Sequence, residues 1–336
     1  MRNNSFDLIR HVAALMVLVS HHFVLSGFEE PGIAGYNSLG GIAVIAFFSI
    51  SGLLITRSFL NASSFTDYLS KRVARIFPAL IACAFIMTFV AGGLFAEGYL
   101  TYSAALVDFL RISVFGRADI AQITSDFIFS ESFNGSLWTL KIEFAFYLLL
   151  AGAIGIYRRA LMPSALLALF CMATFVLGNG VTHPLAPKLA VYGCAGIAFF
   201  AGSLLAFHKQ YLGSARRLLL MLAGSGGLIV AAIGTPLAAV MVTLGICLAT
   251  LALGLLYVDH TIRGRFDISY GIYLYAFPVQ QLVINKTALA FWPSMIASAL
   301  IVIVLATASW RWVERPALQW AHRKRQRETE VATAPD

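Results

Sequence analysis

Residues 6–23 read F-D-L-I-R-H-V-A-A-L-M-V-L-V-S-H-H-F, long and apolar enough to begin a membrane span, yet they carry Asp7, Arg10, His11, His21 and His22. Ionisable groups inside a membrane are costly to hold there and are retained for a task, so this segment is a functional-site candidate. Arg10 and His21 are eleven residues apart, close to three helical turns. They therefore project from one face with roughly 16 Å between them along the axis. A cation near one end of that face can hold an anionic group while an imidazole deeper down handles protons. The plainer alternative is an arginine snorkelling to headgroups and an interior histidine that is merely hydrogen-bonded. His22 points about 100° away from His21 on the same helix.

The remainder of the 336 residues repeats the apolar character: 59% are hydrophobic and 12% charged, which no average water-soluble protein matches. Runs of about 18 to 22 apolar residues predict an all-α, polytopic integral membrane protein, since lipid tolerates only helices and closed barrels and a barrel would alternate. One integral membrane domain over residues 1–320 and a basic tail over 321–336 is the expected division, the tail lying disordered at anionic lipid. The formal charge of +8 would bring nucleic acid to mind in a soluble protein, but here the cations sit between apolar runs and read as topology signals. Cys83, Cys171, Cys194 and Cys247 stand singly in hydrophobic stretches, as small core residues do. No small-residue cleavage site follows the first segment, so it is a retained span and not a removed leader.

Ten spans are predicted, at about 8–27, 39–57, 76–96, 137–156, 160–178, 188–207, 217–234, 236–257, 267–285 and 292–313. Gly234-Thr235-Pro236 leaves room only for a tight turn between the seventh and eighth. The ninth is interrupted by Pro278, Gln280 and Gln281. With the N-terminus inside, 19 of the 24 lysines and arginines face the cytoplasm and only Arg111, Arg117, Lys141, Lys188 and Lys286 lie outside. That division predicts both termini in the cytoplasm. The longest connecting region, 97–136, then faces outward. Its carboxylates and its aromatics Tyr99, Tyr102, Phe109, Phe115, Phe127, Phe129 and Phe133 fit either a carbohydrate-binding surface or an interfacial aromatic belt.

Three further stretches carry chemistry. Lys71-Arg72-Val73-Ala74-Arg75 forms a compact cationic clamp suited to phosphates, although a basic cluster ahead of a span is also ordinary topology signalling. Ser49, Ser51 and Gly52 in F-F-S-I-S-G-L-L-I would let another helix approach closely. In S-L-W-T-L-K-I-E-F-A-F-Y, Glu143 lies among apolar residues and needs a partner, for which His21, His22 or Lys141 are available.

These pieces in this order resemble the membrane-bound acyltransferase family 3. The similarity comprises F-D-L-I-R with its histidine at position 21, F-F-S-I-S-G-L-L-I, R-V-A-R-I-F-P, G-S-L-W-T-L-K-I-E-F-A-F-Y, I-S-Y-G-I-Y-L-Y-A-F-P-V and W-R-W-V-E-R-P at Trp310 to Pro316. The resemblance implies transfer of an acyl group, most often acetyl, from cytoplasmic acyl-CoA to a hydroxyl of an extracytoplasmic glycan or glycolipid. It further implies acetyl-CoA as donor substrate with no permanently bound cofactor and no metal, and a bacterial cytoplasmic membrane. Carried over by position, Arg10 and His21 match the family's Arg-x10-His pair, Arg72 and Arg75 its R-x-x-R, and Glu143 the acid after S-L-W. The chain departs from the pattern at Ala276 and Phe144, where members often have His and Glu.

The expected site is thus His21, Arg10 and Glu143 for chemistry, with Arg10, Lys71, Arg72 and Arg75 facing the phosphates of CoA. Imidazole suits either deprotonation of the acceptor or transient acylation. A competing class is a transporter or flippase for a lipid-linked saccharide, in which Arg10, His21 and Glu143 line a polar path.

Overall fold

The computed structural model describes residues 4–33, 37–101, 103–157, 159–208, 212–260, 262 and 266–321. Tyr102, several cations of the charge division (Arg2, Arg158, Lys209, Arg263 and Arg265) and the expected tail beyond Ala321 lie outside them. The described chain is helical apart from one antiparallel ladder of two residues per strand, β1 (Gly32–Ile33) with β2 (Asn37–Ser38). The helices are α1 (Phe6–Leu25), α2 (Leu39–Leu60), α3 (Phe65–Phe85), the single turn α4 (Gly92–Phe95), α5 (Ala104–Phe115), the single turn α6 (Ala121–Thr124), α7 (Trp138–Ile156), α8 (Leu161–Asn179), α9 (Ala186–Phe207), α10 (Ala215–Ala232), α11 (Ala238–Leu256), α12 (Ser269–Lys286) and α13 (Phe291–Ser309).

Among the described residues nine helical stretches are long and apolar enough to cross a membrane. They match nine of the ten expected spans. The remaining one, the ninth in chain order, is the helix α12, which lies over the expected residues but is less apolar because of Gln280, Gln281, Asn285 and Lys286. The third begins at Phe65, eleven residues ahead of the expected start. Ser64 caps it by accepting from the Asp67 amide at 3.0 Å, and the Asp67 carboxylate accepts from the Ser63 amide at 3.3 Å. This reciprocal cap opens the helix in a polar stretch, so the R-x-x-R residues are helical.

The helices fall into two compact units. The first gathers Met1–Val17, Pro31–Asn61 and Ile142–Phe266. Here α2 packs along α9, α9 along α8, and α11 against both α2 and α9. The close crossing of α2 and α9 depends on two glycines: a Cβ on Gly52 would stand 1.9 Å from the Phe199 carbonyl oxygen, and one on Gly202 2.2 Å from that of Ser49. Small residues drive helix association in lipid because only close packing rewards it there. Phe6, Ile50, Leu53, Cys247 and Leu251 fill the core of this unit. Gly234, at φ 73°, turns α10 into α11 as the Gly-Thr-Pro sequence predicts.

The second unit gathers Leu18–Glu30, Ala62–Lys141 and Asp267–Asp336. Pro278 inside α12 supplies no N–H to the Leu274 carbonyl four residues back. Asn134 fills the gap, its Nδ2 donating to that oxygen at 3.0 Å, and its Oδ1 accepts from the Ser136 hydroxyl at 2.7 Å. The N-G-S-L-W stretch therefore docks on the Y-L-Y-A-F-P kink. The polar residues that cost α12 its hydropathy all hold neighbouring segments. Gln281 Nε2 donates to the Phe129 and Ser132 carbonyls at 2.8 and 3.0 Å, Asn285 Oδ1 accepts from the Ile128 amide at 2.9 Å, and Lys286 pairs with Asp126 at 2.8 Å. Of the expected aromatic surface, Tyr99, Phe127 and Phe133 are buried and are not available to stack on sugar rings.

Candidate active site

The two histidines of α1 have different surroundings. His22 is fully buried, with Nε2 3.1 Å from both the Phe291 carbonyl and Ser294 Oγ, and Nδ1 3.2 Å from Gln280 Nε2. A carbonyl only accepts and an amide nitrogen only donates, so the neutral ring protonated at Nε2 satisfies both ends. His22 is thereby a strut joining α1 to α12 and α13. His21 is oriented by a ring instead: Phe277 meets it edge-on at 5.1 Å between centroids. Its Nδ1 is shielded from solvent and has no hydrogen-bond partner among the described residues. Phe277 is held on its other sides by Phe129, at 5.8 Å, and by the backbone at Gly135, where an added Cβ would come within 2.9 Å of the ring. Gly135 and Phe277 belong to two of the stretches quoted above, and their packing explains why glycine stands before S-L-W.

In the first unit, Glu143 on α7 receives two hydroxyls on one oxygen. Ser51 Oγ donates to Oε1 at 2.6 Å and Tyr147 OH donates to the same atom. Its described hydrogen-bond partners are thus hydroxyls from the S-I-S-G stretch and from its own helix one turn on, in place of the imidazole or lysine expected. Two donors aimed at one carboxylate oxygen fix its direction.

The cations of the expected donor site lie on α1 and α3. Arg10 is 3.7 Å from Asp7, and Lys71 is 2.8 Å from Asp67, each one turn away on its own helix. The Arg72 guanidinium lies 6.0 Å from the Tyr68 ring. Arg75 is engaged more extensively. Its Nη2 donates to Asp267 Oδ2 at 2.6 Å, its Nη1 is 4.0 Å from Glu314 Oε2, and its guanidinium sits 5.6 Å from the Tyr270 ring. Asp267 Oδ1 accepts from the Ser269 hydroxyl at 2.6 Å. Glu314 lies in a π-helical turn, Trp310–Glu314, which brings residues five apart together, and the Ser309 hydroxyl donates to Glu314 Oε1 at 3.1 Å.

Sequence reasoning singled out neither Asp267 nor Glu314, nor the roles of Ser51 and Tyr147. The signal was present for Glu314, an acid in an apolar run in the same way as Glu143. For the hydroxyls there was none beyond their place in the quoted stretches.

An all-α polytopic membrane protein is the class that the fold defines, with an imidazole nitrogen in one unit that has no partner among the described residues and a hydroxyl-bound carboxylate in the other. Comparison with known proteins makes it specific. The family described as Acyltransferase domain matches residues 3–311, and the chain belongs to that acyltransferase family. It is 37% identical over 319 residues to the "O-acetyl transferase" of Shigella phage Sf6, covering 94% of this chain and 96% of the relative. It is 30% identical over 344 residues to "Nodulation protein 10" of Rhizobium leguminosarum bv. viciae, covering 94% and 93%. No solved structure matches. The chain is a membrane acyltransferase.

Proposed function

We propose that this acyltransferase moves an acetyl group from cytoplasmic acetyl-CoA to a hydroxyl of an extracytoplasmic glycan or glycolipid, in a bacterial cytoplasmic membrane with both termini inside. The observation that carries the reading is the buried Nδ1 of His21, which has no hydrogen-bond partner among the described residues, beside a His22 whose two nitrogens are both engaged. Its support is the family membership and the acetyl transfer named for the phage relative. In this scheme His21 takes the proton of the acceptor hydroxyl as its oxygen attacks the thioester carbonyl. The C–S bond breaks and the leaving sulfur of CoA receives the proton. Arg10, Lys71 and Arg72 supply positive charge to the pyrophosphate and 3′-phosphate of the donor, each contact contributing about 1.5–3 kcal/mol. Glu143, aligned by Ser51 and Tyr147, adds a fixed negative charge.

The test uses purified protein in proteoliposomes with acetyl-CoA and an isolated surface polysaccharide. Acceptor-dependent release of the CoA thiol, with an acetyl mass gained by the glycan, is the expected result. Movement of a lipid-linked saccharide across the bilayer without thiol release would favour the transporter reading instead.

A further inference from the structure

Three of the quoted stretches meet on one side chain. Arg75 of R-V-A-R-I-F-P, Asp267 just ahead of I-S-Y-G-I-Y, and Glu314 of W-R-W-V-E-R-P come together within the second unit, with Ser269, Tyr270 and Ser309 around them. We infer that Arg75 is a positioning residue whose charge is engaged by Asp267 and Glu314, and that it is not a ligand of the donor phosphates.

The argument starts from charge. Two carboxylates share one guanidinium, and the Glu314 side chain is only 2% exposed. Drawing Arg75 away to a phosphate would take from both acids the guanidinium that faces them, in a medium that solvates them poorly. Breaking a buried pair by removing one partner is strongly destabilising, whereas removing all of its charges together is close to neutral. Geometry points the same way. Asp267 stands just ahead of α12, and its other oxygen is engaged by Ser269. Glu314 stands just past α13, in a turn whose widening places it over Ser309. Arg75 therefore pins α3, which carries Lys71 and Arg72 one turn earlier, to both open ends of the α12–α13 hairpin. That same α12 carries Phe277 against His21. Arg75 acts on the chemistry through these two elements and touches no reacting atom.

The inference rests on the donor being a CoA thioester, and its test separates the two ideas. Full-length protein in nanodiscs is compared as wild type, Arg72→Ala, Arg75→Met, and the triple variant Arg75→Met, Asp267→Asn, Glu314→Gln. Free CoA is the binding probe, and melting temperature and turnover per folded molecule are read alongside. Arg72→Ala should weaken CoA binding about tenfold, the loss of one charge-assisted contact. Arg75→Met should lower that melting temperature by several degrees and cut turnover, with CoA affinity within about twofold of wild type, a loss smaller than that of one phosphate contact. The triple variant, with no unpaired acid left, should recover most of the melting temperature and keep that affinity.

A triple variant that folds like wild type yet binds CoA as poorly as Arg72→Ala would overturn the inference, since Arg75 would then be a phosphate ligand. A triple variant as unstable as Arg75→Met would overturn it too, because the instability would not come from stranded carboxylates. Should wild type itself fail to bind CoA, the donor reading falls, and the order of the three melting temperatures still decides whether Asp267 and Glu314 consume the charge of Arg75.

Discussion

Adjacent histidines on one helix differ in what they touch, and that difference sorts their mutants. Replacing His21 by Ala removes a ring packed on Phe277 with a free nitrogen, so acetyl transfer should fall by about 10²–10⁴, the span usual for general-base catalysis, with little change in melting temperature. Replacing His22 by Ala leaves one N–H of the Gln280 amide without its acceptor, Leu18 keeping the other, and opens a hole beside Ser294. Stability should drop by about 1–3 kcal/mol while the surviving folded protein keeps its chemistry. Thermal denaturation and turnover measured on both variants check the pair, and a dead but stable His22→Ala would move the site to that ring. At Glu143, the Ser51→Ala, Tyr147→Phe double variant should reproduce the kinetic loss of Glu143→Gln, because either change dismantles the same hydroxyl–carboxylate contact. A double variant with full turnover would separate those hydroxyls from the reaction.

Elements meet in this protein where one of them lacks something the other supplies. Asn134 donates to the Leu274 carbonyl that Pro278 leaves without a helical partner. Asn134→Ala should thus cost about 1–3 kcal/mol. Pro278→Ala, which restores the missing N–H, should reduce that penalty in the double variant; strictly additive losses in melting temperature would refute the compensation. At the α2–α9 crossing, Gly52→Ala forces a methyl against the Phe199 carbonyl, and overpacking of this kind costs typically about 1–3 kcal/mol. The 126–132 segment is tied to α12 by a contact that responds to pH. The hydrogen bond from Lys286 holds the Asp126 carboxyl below its ordinary range, so the tether is intact at neutral pH and is lost as pH falls through that lowered value. Limited proteolysis of this segment should accelerate only on the acid side of the usual aspartate range.

For the whole molecule, the charge division remains the strongest statement about orientation. Reporter fusions after Arg57, Arg159 and Arg217 should report the cytoplasm, and fusions near Asn134 and His183 the outer face. In the proposed orientation α3 and its cations would face the cytoplasm, the side of the proposed acyl-CoA donor, so a consistent reversal would remove that donor from their reach. Because salt screens contacts between charges that reach solvent, raising ionic strength should weaken the apparent affinity for acetyl-CoA, and Arg72→Ala should flatten that dependence. An unchanged salt slope in Arg72→Ala would argue against its phosphate contact.

Hydropathy by itself determined that the chain is helical and crosses a membrane, where nine of the spans lie, and that Gly234 closes a hairpin, since each of these depends on a few neighbouring residues leaving water together. It also marked the polar residues that stand out in apolar runs: His21, Glu143 and the glutamines of α12. It misplaced the start of α3, because Ser64 and Asp67 cap a helix before the residues become apolar. Tertiary structure alone decided the partners. Arg75 lies 192 positions from Asp267, and Ser51 lies 92 from Glu143. Once lipid has removed water as an alternative, each buried polar group takes whichever donor or acceptor the packing brings within about 3 Å, and no local pattern records that choice.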